Sequence, residues 1–134
     1  MLKNAIAQTA LPAQDLKRAK AFYGEKLGLQ PFEEDADNVR YQLRDGTQFN
    51  VFRTGGAPSG THTQMAFLVE DIVAELRDLK SRGVKFEEYD FPGLKTKDSI
   101  ADGPDGSKAS WFKDSEGNML AVVQPARVAA GRSA

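Results

Sequence analysis

An internal repeat constrains the fold of this chain more than any other feature of its sequence. The segments "DLKRAKAFYGEKLGL" and "EDIVAELRDLKSRGV" share an aspartate near the start, apolar residues at helical spacing and a glycine near the end. Asp15 and Asp71 can cap two helices, and Gly28 and Gly83 can stop them. The pattern predicts an amphipathic helix over residues 15–27 and a matching helix that runs from Asp71 to Gly83.

Short β-prone segments surround both helices in the same order. "NAIAQTALPA" and "THTQMAFLV" precede the helices, and two alternating segments follow each helix. Asp45-Gly46 joins "NVRYQLR" to "TQFNVFR". The turn "DSEGN" joins "SKASWFK" to "NMLAVVQ", with Gly117 and Asn118 as candidates for positive φ angles. With the short segments "PFEE" and "KFEE", each half therefore reads as one strand, one helix and three strands.

Two such units predict an α+β fold. We expect two βαβββ repeats whose strands form one curved mixed sheet, with a helix on the convex side of each half and a cleft on the concave side. At 134 residues the chain is expected to form a single domain. The predicted parts are a first repeat over 4–53, a linker over 54–60, a second repeat over 61–125 and a flexible tail over 126–134.

Composition and charge argue against several classes of protein. The formal net charge is -1, and Lys and Arg are spread over the whole length, so no basic stripe suggests a nucleic-acid partner. The absence of cysteine removes disulfides and thiolate metal ligands. Because no apolar run resembling a signal peptide opens the chain, we expect a cytoplasmic protein with no membrane partner.

Alternation along the strands assigns each side chain to one of two faces. In "TQFNVFR", Phe49 and Val51 point one way, and Asn50 points the other way. We expect the first face to pack under the helices and the second to line the concave cleft. The residues expected on that second face are Gln8, Gln48, Asn50, Phe52, His62, Gln64, Ala66, Leu68, Met119, Ala121 and Val123.

The segment from Phe91 to Lys108, "FPGLKTKDSIADGPDGSK", is much longer than its counterpart in the first half. Its content of Gly, Pro and Asp predicts a loop, and loops of this length often cover binding sites. We therefore expect this segment to close over the cleft.

The order of three segments carries a resemblance to a known family. With "LPAQDLKRAKAFYGEKLGL" in the first half, "MAFLVEDI" opening the second and "WFKDSEGNMLAVVQ" closing it, the chain resembles the vicinal oxygen chelate superfamily. That superfamily includes glyoxalase I, fosfomycin resistance, methylmalonyl-CoA epimerase, extradiol dioxygenase and bleomycin resistance proteins. The resemblance covers Ile6 to Gln124 and implies the glyoxalase/bleomycin resistance/dihydroxybiphenyl dioxygenase fold, commonly a homodimer.

The resemblance also implies where a metal would bind. Catalytic members hold a divalent metal with His, Glu or Gln side chains on the first and last strands of each repeat. Counting seven residues back from each capping aspartate, and four on from each turn glycine, gives the equivalent positions as Gln8, Asn50, Gln64 and Ala121. Three amides and a methyl group fit a metal poorly, because such sites use imidazoles and carboxylates. We therefore expect neither a metal nor another cofactor.

The leading prediction is a metal-independent small-molecule binding protein. Its ligand would lie in the cleft, oriented by polar groups and held among apolar ones. The predicted ligand-binding residues are Gln8, Asn50, Gln64, His62, Phe52, Trp111, Met119 and Ala121, with Ile6 nearby.

Two alternatives remain open at the level of sequence. The first is a glyoxalase-like lyase or isomerase that uses His62 as its catalytic residue, or a relocated metal site with Glu33, Glu34 or Asp98. The second is a dimeric interaction module with a vestigial cleft. A lone histidine with no carboxylate near it in sequence cannot form a two-histidine, one-carboxylate iron site, which argues against an extradiol dioxygenase.

Overall fold

The structure, a computed structural model, describes residues 1–126. The predicted tail over 126–134 lies outside these residues apart from Ala126. The first repeat contains β1 (Thr9–Ala13), α1 (Leu16–Glu25), β2 (Glu33–Glu34), β3 (Asn38–Gln42) and β4 (Gln48–Arg53). The second contains β5 (Thr63–Leu68), α2 (Ile72–Ser81), β6 (Asp90–Phe91), β7 (Leu94–Lys97), β8 (Ile100–Asp102), β9 (Lys108–Lys113) and β10 (Met119–Gln124).

Clustering of contacts divides the chain into two compact units. Among the described residues, the first unit comprises 1–60 and 114–118, and the second comprises 61–113 and 119–126. The boundary after Gly60 follows the predicted linker, whereas the hairpin turn 114–118 clusters with the first unit although its strands belong to the second. That the chain forms a single domain stays a prediction.

The first unit contains a four-stranded sheet in the order β1-β4-β3-β2. β1 runs parallel to β4, and β4 pairs with β3 in antiparallel register. Asp15 caps α1 by accepting a hydrogen bond from the Arg18 N–H over 2.9 Å. The helix ends before Gly28, whose φ of 71° continues the chain in the left-handed region. The buried core residues of the first unit are Leu11, Ala13, Ala19, Tyr23, Val39, Tyr41, Phe49 and Val51.

The second unit contains a six-stranded sheet in the order β5-β10-β9-β8-β7-β6. β10 lies parallel to β5 on one side and antiparallel to β9 on the other. Asp71 caps α2 by accepting from the Ala74 N–H over 3.1 Å. The buried apolar residues of this unit are Ile72, Leu76, Val84, Ala101, Phe112, Met119, Leu120, Ala121 and Val122.

The α+β fold of two repeats is confirmed, with one difference in the sheet. The strands of residues 1–126 form two mixed sheets rather than one. The physical reason lies in the pairing: the first strand of each repeat bonds to the last strand of the same repeat. Each sheet is therefore completed within its own repeat.

The loop predicted over residues 91–108 is wrong for about half of that segment. β6, β7 and β8 occupy much of it, and β7 pairs with β8 in antiparallel register. Asp98 and Ser99, with φ of 51° and 73°, form the tight turn between these two strands. Glu88 holds the turn by accepting from the Ser99 N–H and hydroxyl over 3.2 and 3.0 Å. Because the segment is paired into the sheet, it is not the free cover that its composition suggested.

Within residues 1–126, neither helix is long and apolar enough to cross a membrane.

Candidate functional site

A chain of hydrogen-bonded amides lies on one face of the first sheet. The Gln8 Nε2 donates to Asn50 Oδ1 over 3.2 Å, and Asn50 Nδ2 donates to Asn38 Oδ1 over 2.7 Å. Asn50 alternates away from the buried Phe49 and Val51, as the sequence predicted. The structure therefore brings together two predicted site residues and adds Asn38. Sequence reasoning missed Asn38, because its place beside Asn50 depends on the pairing of β3 with β4, in which Asn38 lies opposite Phe52.

Ion pairs engage both glutamates of β2, on opposite faces of the sheet. Arg40 lies opposite Asn50 in the β3–β4 register and donates to Glu33 over 2.5 Å. Lys20 binds Glu34 over 2.7 Å. Glu33 and Glu34 are therefore each engaged by a cation, which leaves no observation in favour of using them as ligands of a relocated metal.

In the second unit, Gln64 occupies a bulge in the parallel pair of β5 and β10. Met119 pairs with Thr63 and Leu120 pairs with Met65, so Gln64 is the extra residue between them. Its Oε1 accepts a hydrogen bond from the Met119 N–H over 3.2 Å. The side chain therefore satisfies a backbone donor that the register shift would otherwise leave unpaired.

Aromatic side chains gather near the other predicted site residues of this unit. Trp111 Nε1 donates to the Thr63 hydroxyl over 3.0 Å, next to the exposed His62. Tyr89 meets Trp111 edge to face at 5.5 Å between ring centroids, and Phe91 lies 5.9 Å from Tyr89. Sequence reasoning missed Tyr89 and Phe91, because they lie in the segment interpreted as a loop or beside it.

The last strand presents little of itself to solvent. Met119 is 6% exposed and Ala121 is 2% exposed, with Ala121 placed between Ala66 and Trp111 in the sheet. Phe52, in the first unit, is half-buried. That these residues contact a ligand stays a prediction.

The four positions that the resemblance assigns to metal ligands do not fit a divalent metal. Asn50 Oδ1 accepts from the Gln8 amide nitrogen, and Gln64 Oε1 accepts from the Met119 backbone. Ala121 carries no donor atom at all. Neutral amides that already satisfy one another supply neither the basicity nor the negative charge of the usual sites. Across residues 1–126, no three His, Asp or Glu side chains are placed to hold a metal ion.

A second polar cluster forms around the turn 114–118 in the first unit. The Tyr23 hydroxyl and the Asn118 side-chain amide both donate to Asp114 Oδ2, over 2.7 and 2.8 Å. The backbone N–H groups of Glu116 and Asn118 donate to Asp114 Oδ1. Burial, followed by the nearby Asp114 carboxylate, raises the pKa of Tyr23 well above its usual range. Tyr23 thus stays a hydrogen-bond donor at neutral pH.

Arg18 extends this cluster to the start of α1. Its guanidinium binds Glu116 through two hydrogen bonds of 2.7 and 2.9 Å, and the Asp15 N–H also donates to Glu116. The hydrogen bond from Arg18 is the main cause that lowers the pKa of Glu116, and burial opposes it. Asp114 and Glu116 therefore hold the turn in place through buried hydrogen bonds.

The prediction that Asn118 supplies a positive φ angle is wrong. Gly117 does so, with φ of 91°, whereas Asn118 is absent from the positive-φ residues of the described chain. Asn118 instead donates its side-chain amide to the Pro12 carbonyl over 2.9 Å as well as to Asp114. Its role is to bond the turn to β1, a tertiary contact that local turn chemistry could not indicate.

Comparison with known proteins places this geometry among relatives. A family model described as the Glyoxalase/Bleomycin resistance protein/Dioxygenase superfamily matches residues 5–122. No curated protein matches the chain.

Solved structures share the fold. A bleomycin-binding protein complexed with bleomycin aligns with a TM-score of 0.67 at 22% identity, covering 91% of this chain and 99% of that one. A bleomycin resistance determinant encoded on transposon Tn5 aligns at 0.66 and 22%, covering 90% and 98%. A lactoylglutathione lyase from Agrobacterium tumefaciens aligns at 0.67 and 20%, covering 90% and 93%. At these identities the likeness shows the fold alone.

Proposed function

The chain belongs to the glyoxalase/bleomycin resistance protein/dioxygenase superfamily, and we propose that it binds a small molecule without the help of a metal ion. The observation that carries this proposal is the amide chain of Gln8, Asn50 and Asn38. It lies where the family resemblance puts metal ligands in one repeat, and it offers hydrogen-bond donors and acceptors in place of charge.

Amides suit binding better than catalysis. A carboxamide neither donates nor accepts a proton at neutral pH, so it cannot act as a general acid or base. It can orient a ligand through its N–H and C=O groups, as in most small-molecule sites, which combine a few polar groups with apolar walls. A structural relative bears the name of a bleomycin-binding protein, which supports sequestration as the kind of function to test first.

Two surfaces are proposed as ligand contacts, one in each unit. In the first unit the surface is the amide face with Phe52, and in the second it is the face around Trp111 with His62. Each surface is proposed separately: the surface of the first unit would bind polar groups of a ligand, and that of the second unit would pack against an aromatic or apolar group of a ligand. Met119 and Ala121 are buried, so they would contact a ligand only if its binding exposed them.

Calorimetric titration with metal-free bleomycin as the probe, in the presence of a chelator, tests the proposal. We expect saturable binding that Asn50→Leu weakens about tenfold, because one or two hydrogen bonds to the ligand are lost. Gln30→Leu is the matched control, since Gln30 is an exposed amide in the loop after α1. If bleomycin does not bind, a panel of amphipathic metabolites is screened by thermal shift. Binding that requires an added metal would overturn the proposal.

We also propose that the protein forms a homodimer, as the family resemblance implies. Sedimentation equilibrium should give about twice the mass of one 14.7 kDa chain at micromolar concentration. A monomer at every concentration tested would contradict this part of the proposal without affecting ligand binding.

A further inference from the structure

The second unit contains a groove on the side of its sheet opposite to Trp111. Its volume is about 490 Å³, and it lies between α2 and the strands β7, β8 and β9. Lys108, which lines the groove, alternates with Ala109 along β9 and shares a face with the buried Phe112. Trp111 belongs to the other face. The groove is therefore separate from the surfaces proposed above.

The floor of the groove is apolar and partly open to solvent. Val73 and Leu76 contribute from α2, and Ile100 contributes from β8. Leu76 is buried, whereas Val73 is 52% exposed, which is high for a branched aliphatic side chain in a helix that packs on a sheet. An apolar chain laid across these residues would remove this exposed surface from water.

The rim of the groove is mainly cationic. Arg77 and Lys80 extend from α2, and Lys97 and Lys108 extend from the sheet, against the carboxylates of Asp98 and Asp102. Four cations thus face two anions.

Two of these cations already have partners within the unit. Lys108 forms an ion pair with Asp102, and Lys80 lies over the Phe86 ring at 5.9 Å from its centroid. Arg77 and Lys97 form no ion pair with any residue in the part of the chain that the structure describes. Two cations of the rim are therefore available for an external anion.

We propose that this groove binds a small amphipathic anion, such as a medium-chain carboxylate. The apolar chain would lie on Val73, Leu76 and Ile100, and the anionic head would meet Arg77 and Lys97. The volume falls within the range of ordinary small-molecule sites. The excess of positive charge selects against cationic amphiphiles, and the open apolar floor selects against small hydrated anions.

A titration with octanoate, followed by amide chemical shifts in ¹⁵N-labelled protein, tests the proposal. We expect saturable shifts concentrated in residues 72–81 and 97–108. Octan-1-ol and octylammonium, which keep the chain and change the head, should bind at least about fivefold more weakly, since they lack the attraction to the two cations. Equal binding of octylammonium, or no shift in these residues up to the solubility limit of octanoate, would overturn the proposal.

Charge-reversal variants locate the head group. Lys97→Glu and Arg77→Glu should each weaken octanoate binding about fivefold or more. Lys113→Glu is the matched control, because Lys113 is exposed on β9, lies on the opposite face and makes the same change in net charge. Equal weakening by all three variants would mean that net charge alone controls octanoate binding, and it would overturn the proposed site.

The outcome is independent of the proposed metal-free ligand site. Asn50→Leu should leave octanoate binding unchanged, and Lys97→Glu should leave binding at the amide face unchanged. Binding to phosphatidylglycerol vesicles without binding of free octanoate would indicate a membrane surface as the partner and would overturn the proposal.

Discussion

The two hairpin turns of the repeats share a closing hydrogen bond and a glycine but differ in their surroundings. In each turn the N–H of the first residue donates to the carbonyl of the fifth, over 2.7 Å in residues 43–47 and 3.0 Å in residues 114–118. The fourth residue of each is a glycine, with φ of 76° in the first turn and 91° in the second. The turns are similar but not identical, because Asp45 also has a positive φ of 61°, whereas Glu116 is absent from the positive-φ residues of the described chain.

The side chains of the two turns have different fates. Asp45 in the first turn is exposed and lies 3.9 Å from Arg44. In the second turn Asp114, Glu116 and Asn118 are buried, at 6%, 9% and 0% exposure. Each turn therefore has a glycine at a positive φ angle. Tertiary contacts decide whether the turn is a simple connection or the centre of a buried polar cluster.

Removing one negative charge from each turn should separate them most strongly. Asp114→Asn is expected to lower the free energy of unfolding by about 2–4 kcal/mol, because an amide nitrogen would replace an oxygen that accepts from Tyr23 and Asn118. Asp45→Asn, the matched control, should change it by less than about 0.5 kcal/mol. Urea unfolding measures both. Equal losses in the two variants would mean that the cluster contributes nothing special to stability.

Adding a methyl group to each turn glycine should instead affect both turns alike. Gly46→Ala and Gly117→Ala are each expected to cost about 1–2 kcal/mol, because both residues hold positive φ angles. The added Cβ would meet only Gln42 at 4.0 Å or Pro58 at 3.6 Å, so no clash distinguishes the two sites. The same unfolding experiment applies. A much larger cost at Gly117 would show that the positive φ angle is not the main cause of the loss of stability there.

The pH dependence of stability provides the mildest test. The hydrogen bond from Arg18 holds the pKa of Glu116 below its usual range in the folded chain, so the bonds of Glu116 stabilise the fold above that range and are lost as the pH falls through the lowered value. Glu116→Gln should therefore lose less stability than the wild type between about pH 5 and pH 3.

Arg18→Met should also weaken the acid dependence of stability. Removing the guanidinium removes the main cause of the lowered pKa of Glu116, so less stability should be lost between about pH 5 and pH 3 than in the wild type. Urea unfolding at several pH values would record how the stability of each variant and of the wild type depends on pH. Superimposable curves for the wild type and Glu116→Gln would contradict the assignment.

The sequence predicted what depends on local chemistry. Both capped helices and both glycine turns follow from residues close together in the chain. The β7–β8 hairpin was missed because its turn uses Asp98 and Ser99 at positive φ, where glycine or asparagine would have been the usual signal. Its stability depends on contacts with Glu88, which lies ten residues before the turn and carries no local signal of its own.

The site was predictable only in part, for a related reason. Alternation placed Asn50 on the open face, and its contact with Gln8 follows from the parallel pairing of β1 and β4. The role of Gln64 depends on a register shift at Met119, and no property of either residue alone indicates a bulge. Residues whose partners depend on strand register therefore cannot be identified from the local sequence pattern.

Metal retention tests the central claim most directly. The purified protein is equilibrated in turn with nickel, zinc, iron and manganese, dialysed, and measured for metal content by mass spectrometry. We predict retention far below one ion per chain for every metal, because Gln8, Asn50, Gln64 and Ala121 offer no basic or charged ligand. Near-stoichiometric retention of one metal, lost on Gln64→Ala or His62→Ala, would contradict the account and favour a metal-dependent enzyme.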